Sequence, residues 1–515
     1  MRVIGRILGI VFAVLVAAII GGAIYLQDAN RLKPELESLL ADNSDYTVEI
    51  KGDVSWVLLP PLTLDIAQVS LKSDDGSQNI DAASLNLKLD LSAMWEDINQ
   101  WQVSELHLVD TVLIEDGART EIKQLDILNF RLKSPTPVHL DLVHTSAEDS
   151  APLAMTLDGL MTYFPATDAT NERGATGQKI VLTDTAITSA LVEGICQIEA
   201  SEVLTQPISL PTPTKEDLLP LETLLNYDLV AQCDLTKLES GSETFTDTHV
   251  EITNVAGMLD LMIDVQDFMG GTLLADVGVD MQQDPIQWTV LPEVSGVDSQ
   301  RMLDWNDRRL QWIAALGFDS NIKMQGNTID ALANSVNASS EFDGGQGQIN
   351  IAKIKEQLMK LAAFASRSEE IANWPDMWDY QEFTGRWNIN GAAQDLKFAI
   401  DNMSIDANGD YDYLTDTIDM MANITIYEPP EGSPYKINPL LQGTPIPVRC
   451  TGAAEDPQCR LDQKAAQQIV ARALTSDDDS GLRKKLEQKI DEEIPEEYRE
   501  TARGLLDLLG RSLSN

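Results

Sequence analysis

Leu85-Asn86-Leu87-Lys88-Leu89-Asp90-Leu91 alternates apolar and polar side chains without a fault, and no other feature limits the fold of this chain as strongly. A period of two is that of a strand, with every apolar side chain on one face and every polar one on the other. The style recurs along the chain. Leu64-Asp65-Ile66 precedes Val69-Ser70-Leu71, and Leu106-His107-Leu108, Val112-Leu113-Ile114, Ile127–Leu132 and Leu140-Asp141-Leu142-Val143 follow. Leu259–Ile263, Ile349-Asn350-Ile351, Trp387-Asn388-Ile389 and Met421–Ile426 repeat it late in the sequence. Asp74-Asp75-Gly76, Glu115-Asp116-Gly117 and Ala407-Asn408-Gly409-Asp410 supply turn chemistry.

One-sided antiparallel strands must cover their apolar faces. A sandwich, a closed barrel, and a curved sheet holding something apolar all satisfy that need. The inward positions are mostly Leu, Ile and Val, and aromatics are only 6% of the chain. This composition suits a trough for aliphatic chains and suits an ordinary sandwich core equally. The candidate trough residues are Leu64, Ile66, Val69, Leu71, Leu85, Leu87, Leu89 and Leu91.

Helices interrupt this pattern. Short ones are expected at Pro34–Ala41, Ser92–Ile98 and Asp217–Asn226, the last broken by Pro220. Asp298 or Ser299 can cap a helix running to Leu316, with Leu303, Leu310, Ile313 and Leu316 on one face. Ala352–Asn373 is a longer one, and Asp462–Ser514 reads as a mostly helical tail.

The compartment follows from the amino terminus. Arg2 and Arg6 precede Ile7–Leu26, a run without formal charge. Twenty residues at ~1.5 Å each span ~30 Å, the thickness of bilayer hydrocarbon. The run is longer than the core of a cleaved signal peptide, and Tyr25-Leu26-Gln27-Asp28 is a poor cleavage site. A retained anchor with a cytoplasmic amino terminus is expected. The four cysteines fit an oxidising compartment on the far side, as pairs Cys450–Cys459 and Cys196–Cys233. Zinc is the alternative, but neither pair has the close spacing of a zinc knuckle and no histidine lies near.

The net charge is −45. That argues against nucleic acid, which needs a basic face, and against coating an anionic membrane. Catalytic patterns fail. His107, His139, His144 and His249 are the only histidines, and neither HExxH nor GxSxG is present. Gly344-Gly345-Gln346-Gly347 lacks the setting of a dinucleotide loop and reads as a turn. Asp406–Asp410 begins like a calcium loop, but Tyr411 and Thr417 stand where glycine and glutamate belong. Trp374–Tyr380 reads as a packed connection, with sugar stacking or membrane contact as the alternative. No enzyme activity, cofactor or metal is expected.

Several weak motifs in a consistent order resemble the AsmA family of Gram-negative envelope proteins. They are Ile50–Trp56 with Leu59–Leu64, Asp217–Leu224, Asp267-Phe268-Met269-Gly270-Gly271, Ser339–Lys355, and Pro445-Ile446-Pro447-Val448 with Gly452 and Pro457. The resemblance implies a mainly β fold with accessory helices: an N-terminal transmembrane helix, an elongated curved antiparallel sheet with an apolar groove, and a helical C-terminal tail. Residues 1–27 would be the cytoplasmic stub and anchor, 28–210 the N-terminal groove region, 211–300 a middle β region, 301–460 a C-terminal region with helical insertions, and 461–515 the tail. It further implies an inner-membrane-anchored periplasmic protein that binds phospholipid and supports lipid transport to, and assembly of, the outer membrane. A non-catalytic scaffold meeting envelope proteins through its helical tail is the alternative, and an anchored enzyme is a third class for which the sequence offers no candidate residues.

Overall fold

The computed structural model describes residue 30 and residues 33–42, 46–57, 62–73, 78–90, 102–115, 118–146, 151–166, 177–203, 217–306, 308–356, 359, 371–429 and 442–461. The described residues fall into two compact units, the first within Met1–Leu210, Leu221–Ser240 and Thr244–Gly257, the second within Pro211–Pro220, Gly241–Glu243 and Met258–Asn515.

A helix, α1 (Lys33–Asp42), precedes the strands β1 (Tyr46–Ile50), β2 (Val54–Val57), β3 (Leu62–Ser73), β4 (Gln78–Asp90), β5 (Gln102–Glu115), β6 (Ala118–Leu128), β7 (Thr136–Thr145), β8 (Leu153–Phe164), β9 (Lys179–Ser189) and β10 (Val192–Glu202). After α2 (Leu221–Asn226) come β11 (Tyr227–Ser240), β12 (Glu243–Phe245) and β13 (Thr248–Val255). In the first unit the strands pair antiparallel with their chain neighbours from β3 to β11, and β11 pairs with β13. Strands β1 and β2 both pair with β3, one on each half of its length.

The second unit holds β14 (Met258–Phe268), β15 (Gly271–Asp280), β16 (Gln287–Asp298), α3 (Ser299–Trp305), β17 (Trp312–Gln325), α4 (Ile329–Ser335), β18 (Asn337–Asp343), β19 (Gly347–Asn350), β20 (Met377–Tyr380), β21 (Phe383–Asn390), β22 (Ala393–Ile400), β23 (Met403–Asp412), β24 (Thr417–Ile426), β25 (Ile446–Ala453) and β26 (Gln458–Leu461). They pair antiparallel in sequence from β14 to β18, then β18 pairs with β21 and the order continues to β26. The first residues of β17 instead pair with β19, and β19 with β20.

Local chemistry explains these choices. Met269 and Gly270 both have positive φ, the left-handed pair that a tight β14–β15 hairpin demands. Asp298 caps α3, its carboxylate accepting from the Gln300 and Arg301 amides. The helix expected from 299 to 316 stops at Trp305. Asn306 ends it, and Trp312, Ala314 and Leu316 point to the inner face at strand period, leaving Ile313 exposed. Leu303, Leu310, Ile313 and Leu316 therefore share no helix face, because tertiary pairing with β16 and β19 overrides the helical spacing. The α2 helix begins after Pro220, as a ring without an N–H permits. Asp406–Asp410 lies inside β23, paired to β22 and β24, and is no calcium loop. The expected anchor from Ile7 to Leu26, the helix Ser92–Ile98 and the tail Asp462–Ser514 lie outside the described residues. Among those described, no helix is long and apolar enough to cross a membrane.

Candidate functional site

The two units present the same device, a sheet whose inner face is built from cross-strand rows of aliphatic side chains. In the first unit Leu64 faces Leu87, Leu87 faces Leu106, and Leu106 faces Ile127, which faces Val138. A parallel row runs Ile66, Leu85, Leu108, Leu125, Leu140, Leu157. Directly opposed side chains of this kind are the units of sheet stabilisation.

The candidate trough residues separate on burial. Leu64, Ile66, Val69, Leu71, Leu85 and Leu87 come together in one buried cluster with Val48, Ile50 and Val54 of β1 and β2. Leu87 is only 1% exposed. Over β3 to β6 the inner face is thus filled by the chain's own side chains. Leu89 is opposite Leu62 by backbone register, and Leu91 lies outside the described residues. The cluster extends to Val138 of β7 and Met161 of β8; around it Leu140, Leu157, Ile180 and Leu182 pack against it but are only half-buried, as are Leu142 and Ile187. Sequence alternation marked the face correctly but carries no signal for where along it the room lies.

The second unit divides the same way. Leu261, Val277, Val290 and Ile322 form a row across β14 to β17, all half-buried. Farther along, Ile405 and Ile424 of β23 and β24 are buried with Ile351, Ile371, Trp374 and Trp378. Trp378 is fully buried, so the Trp374–Tyr380 stretch is a packed connection with no ring presented to sugar or membrane. A glycine is required at 385, where a Cβ would collide with the Phe342 ring across the inner face.

Outer faces are polar. In the first unit Asp65, Asn86, His107, Asp126, His139 and Asp158 form one cross-strand row. Nδ1 of His107 donates to Asp126 at 2.7 Å and Nδ1 of His139 to Asp158 at 2.6 Å. Burial opposes the charged form of His107, yet the hydrogen bonds to Asp126 and Glu105 outweigh it and raise its pKa. Glu105 is held below the usual carboxylate range by Lys88, then by His107. His249 is raised by Asp234 and Glu251 in the same manner. His144 instead meets Thr120, at 2.9 Å. These pairings were not legible beforehand, since they depend on register. In the second unit a shallow outer concavity of about 950 Å³ is lined by Glu293, Asp319, Glu341, Arg386, Lys397 and Asp406 among others. Among the described residues no group of side chains is arranged to hold a metal ion.

The four cysteines form the two expected pairs. Cys196 faces Cys233 across β10 and β11, and Cys450 faces Cys459 across β25 and β26.

No curated protein and no solved structure gives a significant match to the chain. The segment matched by a family model includes the Ile50–Trp56 and Leu59–Leu64 motifs and the strands β1 to β5; the later motifs lie beyond it. Over residues 1–118 the chain matches the model of the AsmA family, the family its motifs resemble.

Proposed function

We propose that this is a periplasmic protein, anchored in the inner membrane through Ile7–Leu26, that binds phospholipid acyl chains along its apolar inner faces and supports lipid transport to the outer membrane. It acts without a catalytic residue. One observation carries the reading: aliphatic rows continue from strand to strand, filled in β3–β6 and, over much of β7–β9 and β14–β17, only half-buried. Each methylene moved from water onto such a face contributes ~0.8 kcal/mol. An unbroken row of like side chains holds an acyl chain equally well at successive positions, so a lipid can slide without leaving it. Headgroups remain in water beside the polar rim.

The test is mass spectrometry of lipid bound to the purified full-length chain, beside Leu157→Glu. Leu157 is half-buried at the margin of the filled cluster, so the variant is checked for folding by circular dichroism before its lipid is measured. Stoichiometric phospholipid that is lost in the folded variant supports the reading. Absence of lipid from both proteins leaves the non-catalytic envelope scaffold.

A further inference from the structure

The inner face of the second unit is covered over part of its breadth by the chain itself. The residues flanking β19 and β20 do this. Ile351 N–H donates to Asp376 O at 2.8 Å, and Lys355 Nζ donates to Asp376 Oδ1 at 2.9 Å, joining residues 351–356 to residues 371–376. Lys353 pairs with Asp456 in the β25–β26 turn. Arg308, arriving from the end of α3, pairs with Asp416 beside the β23–β24 turn at 3.1 Å, and the Tyr411 hydroxyl donates to the same carboxylate at 2.6 Å. The segment is therefore fastened to the β25–β26 turn as well as packed on the strands, while Arg308 ties the connection between α3 and β17 to the β23–β24 turn.

Ile351, Ile371, Trp374 and Trp378 lie buried with Ile405, Ile424 and Val448, whose rows continue those of the earlier strands. Phe398 of β22 opposes Ile405, Ile405 opposes Ile424, and Ile424 opposes Ile446. Through Gly385 and Phe342 that row runs back to Phe318, Val294 and Leu273 of β17, β16 and β15, which stay half-buried, as does the neighbouring row from Leu261 to Ile322. The covered stretch displays the chemistry this face accepts: uncharged, apolar and without hydrogen-bonding demands. Around Ile322, β17 is paired on both sides, with β16 and with β18, so a ligand there meets side chains and gains no ladder hydrogen bonds. A peptide strand is poorly served there; an acyl chain is well served.

The geometry points to an internal stopper: residues 351–356 and 371–378 close the inner face over β22–β25, so that within this unit an acyl chain is admitted over β14–β17 alone. This inference rests on the lipid-binding reading above and adds the limit of the site. The stopper's side chains occupy the volume that acyl chains would need, and dislodging the buried Trp374 and Trp378 would expose their apolar rings to water. In the second unit lipid therefore meets a closed end.

The test uses the full-length chain with phosphatidylethanolamine carrying a diazirine near the end of one acyl chain. After irradiation, labelled residues are mapped by peptide mass spectrometry. Labels on Val290 and Ile322 with none on Ile405 and Ile424 are the expected result. Labels on Ile405 or Ile424 overturn the stopper while leaving lipid binding intact. Labels on no inner-face residue in either unit overturn lipid binding itself, and the stopper as a limit on it. In Trp378→Ala, checked for folding by circular dichroism, labelling extends to Ile405; a folded variant whose labelling stays confined to β14–β17 counts against residues 371–378 as the barrier.

Discussion

His107 on β5 donates from Nδ1 to Asp126 on β6 at 2.7 Å, and the register that opposes them also sets His139 against both Asp126 and Asp158. Two adjacent outer positions of a polar strand face thus become an ordered row of acids and imidazoles. Its consequence is a pH dependence. The folded pKa of His107 lies above the unfolded value near 6.5, so its contribution is fully present below that value and is lost as pH rises through the folded one. Replacing His107 by Gln is expected to destabilise by about 0.5 kcal/mol at pH 5.5, the scale of a part-exposed ion pair. The deficit should disappear by pH 9, as denaturant titrations at both pH values would reveal. An equal deficit at both would assign the loss to packing.

Thr111 offers a stabilising change. It lies in the apolar row between Ala82 and Ile122, is 1% exposed, and its hydroxyl oxygen has no hydrogen-bond partner among the described residues. Thr111→Val keeps the shape and removes the unpaired hydroxyl. An increase of about 1 kcal/mol in unfolding free energy is expected. No gain in a denaturant melt would mean that the hydroxyl is satisfied in solution.

Filled and open stretches of the first unit should respond differently to truncation. Leu87→Ala empties a packed site and should cost about 2–5 kcal/mol. Leu157→Ala, on a half-exposed row, should cost about 1 kcal/mol or less. Its effect should appear in bound lipid. Equal costs for the two would refute the division of the inner face.

The disulfides should rank by loop length. Cys196 and Cys233 are 37 residues apart, Cys450 and Cys459 only 9. Loop-closure entropy assigns about 4 kcal/mol to the first and about 2.5 kcal/mol to the second. Paired Cys→Ser variants measured by thermal denaturation should keep that order, with reduction of the wild type approaching the double loss.

The relation between sequence and site is visible in single positions. Leu64, Ile66, Leu85 and Leu87 announced their shared face by alternation, and the structure puts them on one. Alternation cannot say whether a face is filled, because burial depends on what the chain folds over it. Leu87 and Leu157 look alike in sequence, yet one is core and the other half-open. Trp374 and Trp378 read as a connection, and they are one; that they cover Ile405 and Ile424 depends on contacts with β23 and β24 that no local pattern encodes. The 299–316 stretch misled because Leu303, Leu310, Ile313 and Leu316 keep helical spacing while Trp312, Ala314 and Leu316 keep strand spacing.

Sequence alone therefore determined the antiparallel strands, the identity of their apolar face, the two cysteine pairs and the acidic exterior, since each follows from local period or composition. Tertiary structure decided the register that pairs His107 with Asp126, the length over which each inner face is filled, and the placing of residues 351–356 and 371–378 across β22–β25. These are long-range matters, set by which side chains from distant segments compete for the same apolar surface.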